Sequence, residues 1–328
     1  MYVLNVDQPG DNSTLEFQER PIPEPAAEQV LIRVYYTALN RADLLQMRGR
    51  YPIPHGVTDV PGLEAAGVVE KTGSNVEGVQ EGDRVCALLD GGGYAEFALA
   101  DHKTVIPVDH KMDLREASAI PEVFLTAWQA LFWLGELKEQ ENVLIHAGAS
   151  GVGTASIQLA RVCTGSNIAV TASSDHKLQE CASLGADLLI NYRQSDFADT
   201  INREWGSAKA NLVIDFIGAP YWKQNLDVLA MDGRMVMLAM LGGVKQELAI
   251  GKILRKRLTI RGSTLRNRSV DYKRKLTADF TKNAMGRILS GEIQPVIDRE
   301  YDWSDAEAAR RYMAGNQNIG KVILRVRD

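Results

Sequence analysis

Between positions 28 and 101 the chain is punctuated by short apolar runs. "EQVLIRVYYTALN", "GLEAAGVVEKTG", "DRVCALL" and "YAEFALA" carry β-branched and aromatic residues, with Gly, Pro and Asp between them at close intervals. That spacing predicts a small antiparallel barrel or sandwich. Helical periodicity begins near Leu114 and runs through "VFLTAWQALFWLG" at 123–135. From 143 the rhythm changes. "NVLIHAG", "NIAVTAS", "DLLINY", "NLVIDFIG", "GRMVMLAML" and "LTIRGST" are strand-like runs with helical or loop segments between them. One helix, "VGTASIQLARVC", places Val152, Ala155, Leu159 and Val162 on one face; another, "HKLQECASLG", is closed by Gly185. Six strands alternating with crossovers predict a parallel, doubly wound sheet. Beyond 264 the alternation stops. A long helix, "YKRKLTADFTKNAMGRILSG", precedes the strand "PVIDREYDW". A helix beginning at Ser304, with Glu307 completing a capping box, leads to the strand "KVILRV". This tail is too short to stand alone and is expected to pack on the N-terminal β unit.

Within that frame residues 146–155, "HAGASGVGTA", form a turn of small residues after the apolar run "ENVLI" and before a helix. Bare backbone there suits a phosphate, which main-chain N–H groups and a helix N-terminus bind together. A tight strand-to-helix turn with nothing bound would use the same residues. The position, after the first strand of a doubly wound sheet, favours the phosphate. The spacing G-x-G-x-x-G is not met literally, since Gly148, Ser150 and Gly153 occupy its three places and Gly151 adds another. A serine at the middle place is still small.

Composition narrows the classes. At 328 residues with net charge −5, the chain has no global attraction to nucleic acid or anionic membrane. Its longest apolar stretch is too short to cross a bilayer, and the N-terminus lacks the pattern of a signal peptide. Cys86, Cys163 and Cys181 show no paired spacing. A cytoplasmic protein without disulfides is expected. Ten Lys or Arg against one acid crowd 252–275. A solvated face is the simplest reading, attraction of an anionic cofactor a second and nucleic-acid binding a third. A single aromatic residue, Tyr272, falls in the run, too little to stack successive bases, so a nucleic-acid partner is not expected.

Taken together, "ALNRADLLQMRGRY", "PGLEAAGVVE", "GGGYAEF", "SAIPEVFLTAWQAL", "VLIHAGASGVGTASIQLA" and "NIGKVIL" resemble the zinc-independent quinone oxidoreductases of the medium-chain dehydrogenase/reductase superfamily over essentially the whole chain. The resemblance implies an α/β fold with a GroES-like β-rich catalytic domain and a Rossmann doubly wound parallel-sheet domain. Residues 1–122 and 265–328 would form the former and 123–264 the latter. It implies NADPH-dependent reduction of a small-molecule quinone and a homodimer or homotetramer.

Cofactor contacts follow from the motif and the matching segments: Thr126, Gly148, Ser150, Gly151, Val152, Gly153, Leu241, Gly242, Gly243 and Leu265. Asp175, some two dozen residues past the turn, keeps an NADH ribose contact open on spacing alone. Ser174, Lys177 and Tyr192 offer two hydroxyls and a cation at neighbouring strand ends, which suits a 2′-phosphate and favours NADPH. Asn40 and Tyr51 are expected to hydrogen-bond substrate or nicotinamide. Asp43 either joins them or holds Arg41 or a backbone turn. Thr126, alone on an apolar helix, could instead bond back to its own backbone.

No metal is expected. The zinc enzymes of the superfamily place a Cys where this chain has Asn40 and a His where it has Leu63. Five scattered histidines, expected mostly on surfaces or loops, show no ligand spacing. Rival functions are an NADPH-dependent enoyl or enone reductase, and a cofactor-binding protein with a structural or RNA-binding role.

Overall fold

The computed structural model describes residues 1–206 and 209–327. The chain opens with β1 (Tyr2–Asp7) and β2 (Thr14–Glu19), an antiparallel hairpin that the hydrophobic pattern does not mark. Next come β3 (Gln29–Ala38), α1 (Arg41–Met47), β4 (Glu64–Thr72), β5 (Arg84–Leu88), β6 (Phe97–Asp101) and β7 (Val105–Pro107). The periodicity after Leu114 resolves into α2 (Leu114–Ala117) and α3 (Pro121–Trp128), which widens into a π-helical turn at Gln129–Leu134. The alternating section supplies β8 (Asn142–Ile145), α4 (Gly151–Thr164), β9 (Asn167–Ala172), α5 (Asp175–Ser183) and β10 (Leu188–Asn191). It continues with α6 (Phe197–Trp205), β11 (Ala210–Asp215), α7 (Trp222–Val228), β12 (Leu229–Met237), α8 (Ile250–Lys256) and β13 (Thr259–Gly262). The tail forms α9 (Val270–Leu289), β14 (Ile297–Asp302), α10 (Ala306–Ala314) and β15 (Lys321–Arg325).

Two compact units result, one of Met1–Leu125 with Leu265–Asp328 and one of Thr126–Thr264. In the first, the strands run β14-β15-β3-β4-β5-β7, with β6 also on β3. The tail completes this sheet, because β15 pairs antiparallel with β3, setting Leu324 opposite Thr37. Val30, Ile32 and Val34 of β3 pack with Ala65, Val69, Val85 and Ala98 in one buried cluster, the alternation expected of strands with one face inward. In the second unit the order is β10-β9-β8-β11-β12-β13, all parallel. Chain order reverses between β8 and β11, so the C-terminal ends of those strands frame a switch point.

Two local expectations are corrected. The helix expected to start at Ser304 has no capping box. Asp302 caps a 3₁₀ turn by accepting from the Ser304 N–H, and the Ser304 hydroxyl also donates to Asp302. α10 begins only at Ala306, and Glu307 pairs with Arg310 instead. In α4 the expected apolar stripe is broader than drawn: every residue from Gly153 to Ala160 is buried, whereas Val152 and Val162 are only half-buried. Small side chains let that helix sit deep, so its burial follows depth rather than one face.

Candidate active site

A polar cluster lies inside the first unit. Asn40 caps α1 in extended backbone geometry, and its N–H donates to Asp43 Oδ2 at 2.8 Å. Its side-chain Nδ2 donates to Glu64 Oε1 at 2.8 Å. Lys321, on β15, sends its ammonium to Glu64 Oε1 (2.7 Å), Asn40 Oδ1 (2.7 Å) and the Leu39 carbonyl (2.8 Å). The second carboxylate oxygen of Glu64 accepts the Glu122 N–H at 2.9 Å, at the start of α3. Glu64 and Lys321 are almost fully buried, so the ion pair persists only because each partner has further hydrogen bonds.

Asp43 sits beside this group and is buried. It accepts from the Gly62 N–H at 3.2 Å and the Tyr94 hydroxyl at 2.9 Å. Burial pushes its carboxyl up to about 6, against the pull of those donors and of Lys321. Arg41 does not meet it, turning instead to Asn316 Oδ1 and the Met313 carbonyl. Of the roles open to Asp43, the geometry therefore places it on the backbone turn at Asn40 and Gly62. Tyr51 is half-buried, and its hydroxyl bonds to none of the described residues. Burial pushes it up to about 12. Glu122, partly buried, is raised to about 8 by burial and then by the Glu64 charge.

Sequence reading did not single out Glu122, Lys321, Tyr94 or the side chain of Glu64 as site residues. One signal was available: Glu122 is an acid set between Pro121 and a long apolar run, where a charge requires a partner.

The glycine-rich turn belongs to the second unit. Gly148 lies against β9, where an added Cβ would come within 2.8 Å of Val170 Cβ. At Gly153 a Cβ would meet the carbonyls of Ala147 and Gly148 at 2.5 Å. Close packing thus explains these two glycines without any ligand. Ser150 caps α4, its Oγ accepting the Gly153 N–H at 3.1 Å while its own proton stays available. The N–H groups of Gly151 and Val152 find no partner among the described residues. They lie at the start of a 14-residue helix, where two free donors and the helix dipole favour an anion. The donor set therefore fits a pyrophosphate.

At the neighbouring strand ends, Ala172 of β9 pairs with Asn191 of β10. This register brings Ser174 and Lys177 of the α5 start beside the exposed Tyr192, whose N–H bonds to the Ala172 carbonyl. Ser174 caps α5 by accepting the Lys177 N–H at 3.4 Å. Asp175 is already engaged, accepting from Asn191 Nδ2 at 2.8 Å. Thr126 has a buried hydroxyl with no hydrogen-bond partner among the described residues, so it is not bonded back to its helix. Leu241, Gly242 and Gly243 form an exposed turn laced to 216–219, where a Cβ on Gly242 would press on Ile217 and Pro220 at 3.0 Å. Leu265 is buried in the first unit.

Most of the histidines lie on surfaces or in turns, as expected. His55, His110 and His176 are exposed, whereas His102 and His146 are buried. His146 follows β8 at the mouth of the turn, bonded to Thr171 Oγ1 (3.0 Å) and Asn225 Oδ1 (2.8 Å). Phe197 and Tyr221 enclose it. Burial drops it to about 4, so it is neutral and structural at neutral pH. Among the described residues no group of three or more His, Cys, Asp or Glu could hold a metal ion.

Residues 26–110 match the alcohol dehydrogenase GroES-like domain family, and 151–282 match the family described as zinc-binding dehydrogenase. The chain is 30% identical over 310 residues to quinone oxidoreductase-like protein 2 of Bos taurus, spanning 93% of this chain and 88% of that one. The structure of Escherichia coli quinone oxidoreductase complexed with NADPH superposes with a TM-score of 0.88 at 25% identity, covering 99% of both chains. The CurK enoyl reductase superposes at 0.85 with 28% identity, covering 99% of this chain and 98% of that one. The chain belongs to the medium-chain dehydrogenase/reductase superfamily, among the quinone oxidoreductase-like proteins. It is thus an oxidoreductase of a family that uses nicotinamide dinucleotides. Among the described residues no helix is long and apolar enough to cross a membrane.

Proposed function

We propose that the protein is a metal-independent NADPH-dependent reductase of quinones. The observation that carries this reading is the donor set around Asn40. The side chains at the two ligand positions of the zinc enzymes are an amide and the buried isobutyl group of Leu63, and the cation held beside the amide is the Lys321 ammonium. Neither side chain replaces a thiolate or an imidazole. Without a Lewis acid, a simple alcohol or ketone is a poor partner. A quinone delocalises incoming charge over its own conjugated system.

The NADPH preference is supported by Asp175 being bonded to Asn191, while Ser174, Lys177 and Tyr192 present donors to a 2′-phosphate. The Gly151 and Val152 N–H groups would hold the pyrophosphate, and the Thr126 hydroxyl would serve the nicotinamide. When bound, the dinucleotide supplies the hydride; the protein orients, excludes water and places protons. Tyr51 offers its free hydroxyl to the acceptor. Asn40, fixed by Glu64 and Lys321, presents an amide of set orientation, and Asp43 holds the backbone at Asn40 and Gly62.

An enone or enoyl reductase would use the same hydride chemistry on a C=C, a reading favoured by the CurK likeness. NADPH oxidation with a panel of quinones, an enone and no acceptor separates the two. Turnover with quinones at least tenfold above the enone supports the first reading; the reverse order supports the second. Turnover with neither leaves a binding or structural role.

A further inference from the structure

Half of the basic residues in 252–275 are paired with carboxylates. Lys252 pairs with Asp227, Arg257 with Asp232 and Arg261 with Glu136, while Lys256 donates to three backbone carbonyls. Lys273 pairs with Asp90, and Arg274 with Asp101 and Glu28. The solvated face holds for Arg255, Arg257 and Lys275, which are exposed, while five of the ten cations are matched with carboxylates.

Arg266 stands apart. It is 5% exposed. Its Nε donates to the Asp90 carbonyl at 2.7 Å and Nη1 to Gln46 Oε1 at 2.6 Å. Gln46 is itself pinned, through Nε2, to the Asp59 carbonyl at 2.9 Å. The guanidinium lies over the Tyr51 ring, 5.5 Å from its centre. Its Nη2 is buried and donates to nothing among the described residues. A buried cationic donor held on two sides and empty on the third is costly to the free protein, and an arriving oxygen would relieve it. Glu122 provides the second observation. Its backbone N–H is anchored to Glu64 Oε2 at 2.9 Å at the start of α3, while its carboxyl has no hydrogen-bond partner among the described residues.

We propose that Arg266 and Glu122 form the polar end of the acceptor site: Arg266 Nη2 donates to the acceptor's carbonyl oxygen, and the Glu122 carboxyl delivers the proton that completes reduction. The proposal rests on the quinone reading above. Hydride addition pushes an electron pair onto that oxygen, where the guanidinium holds the negative charge. The O–H bond of Glu122 then breaks as an O–H bond forms on the acceptor. Hydroquinone and oxidised dinucleotide result, and water reprotonates the carboxylate. Glu122 must be protonated at the start. Burial, Glu64 and Asp43 raise it to about 8 against the pull of Lys321 and Lys273, with Arg266 and Tyr51 the other charged or titratable groups beside it.

The test uses 4-nitrophenol, whose phenolate is coloured, bound to the full-length protein without dinucleotide. The expected result is a bound probe that ionises tenfold more readily in the wild type than in Arg266→Gln, with Arg266→Lys between them. In turnover, Arg266→Gln lowers kcat by about 100-fold with dinucleotide affinity unchanged. A folded Arg266→Gln that leaves the probe's ionisation or kcat unchanged, or a wild type that binds no probe, overturns the proposal. Should circular dichroism show Arg266→Gln unfolded, Glu122→Gln decides. Wild-type kcat should fall above about pH 8, and this limb should vanish in the variant. An identical limb in both overturns the proposal. The probe needs neither hydride transfer nor a quinone, so a wild type that shifts the probe but reduces no quinone refutes only the functional reading.

Discussion

The turn at 146–153 and the cluster around Asn40 are two ways of building a site. The turn is local: one strand end, eight residues and one helix start bring Ser150 and the N–H groups of Gly151 and Val152 together. The cluster is assembled from afar, since Asn40, Glu64, Glu122 and Lys321 come from α1, β4, α3 and β15 and meet only when the tail joins the first sheet. A local site depends on backbone shape. A distant one depends on every partner arriving, because each buried polar group relies on the others.

That difference predicts unequal damage. Lys321→Met leaves Glu64 buried without its cation and should cost about 3–5 kcal/mol, read by denaturant unfolding. A loss below 1 kcal/mol would mean that the amide and backbone donors suffice alone.

The two regions should also respond oppositely to acid. His146, beside the turn, is lowered to about 4 from 6.5. The unfolded imidazole therefore takes up a proton before the folded one, and stability is lost as pH falls from 6.5 towards 4, by up to about 3 kcal/mol. In the cluster, Asp43 and Glu122 are raised, so their contributions are present at low pH and lost as pH rises through about 6 and about 8. Unfolding of wild type and His146→Gln at pH 7 and pH 5 isolates the histidine. The variant should lose less on acidification.

Backbone shape can be tested almost without touching packing. Gly151 does not need positive φ, so Gly151→Val should fold normally. Its branched Cβ would stand where the pyrophosphate lies, weakening NADPH binding tenfold or more. A variant that binds NADPH as tightly as the wild type would reduce the glycines to packing. The adjoining strand ends sharpen the point. Lys177→Ala with Tyr192→Ala should weaken NADPH about tenfold more than NADH, through two lost bonds to a charged phosphate, as titration of each dinucleotide would show. Equal losses would place the 2′-phosphate elsewhere.

The same contrast governs what could be read from the chain. Strand and helix order was legible because each element carries its own period, and the turn because its small residues are contiguous. The convergence of Glu64, Glu122 and Lys321 was not, since no local pattern joins residues that lie 58 or more positions apart. Runs mislead in the other direction. The ten basic residues at 252–275 look like one patch, but five of them are dealt out to Asp227, Asp232, Glu136, Asp90 and Asp101. Ser304 and Glu307 have the spacing of a capping box, yet a 3₁₀ turn bonded to Asp302 takes the serine first. His146 lies in a turn, yet it is buried, because its partners Thr171 and Asn225 come from 25 and 79 positions away.

The central claim is that reduction proceeds without a metal, with a buried lysine beside the amide at Asn40. NADPH oxidation by a benzoquinone, followed by absorbance before and after exhaustive chelation together with elemental analysis of the same protein, tests it most directly. The account predicts unchanged turnover and no stoichiometric zinc. Turnover abolished by chelation and restored by added zinc would contradict it.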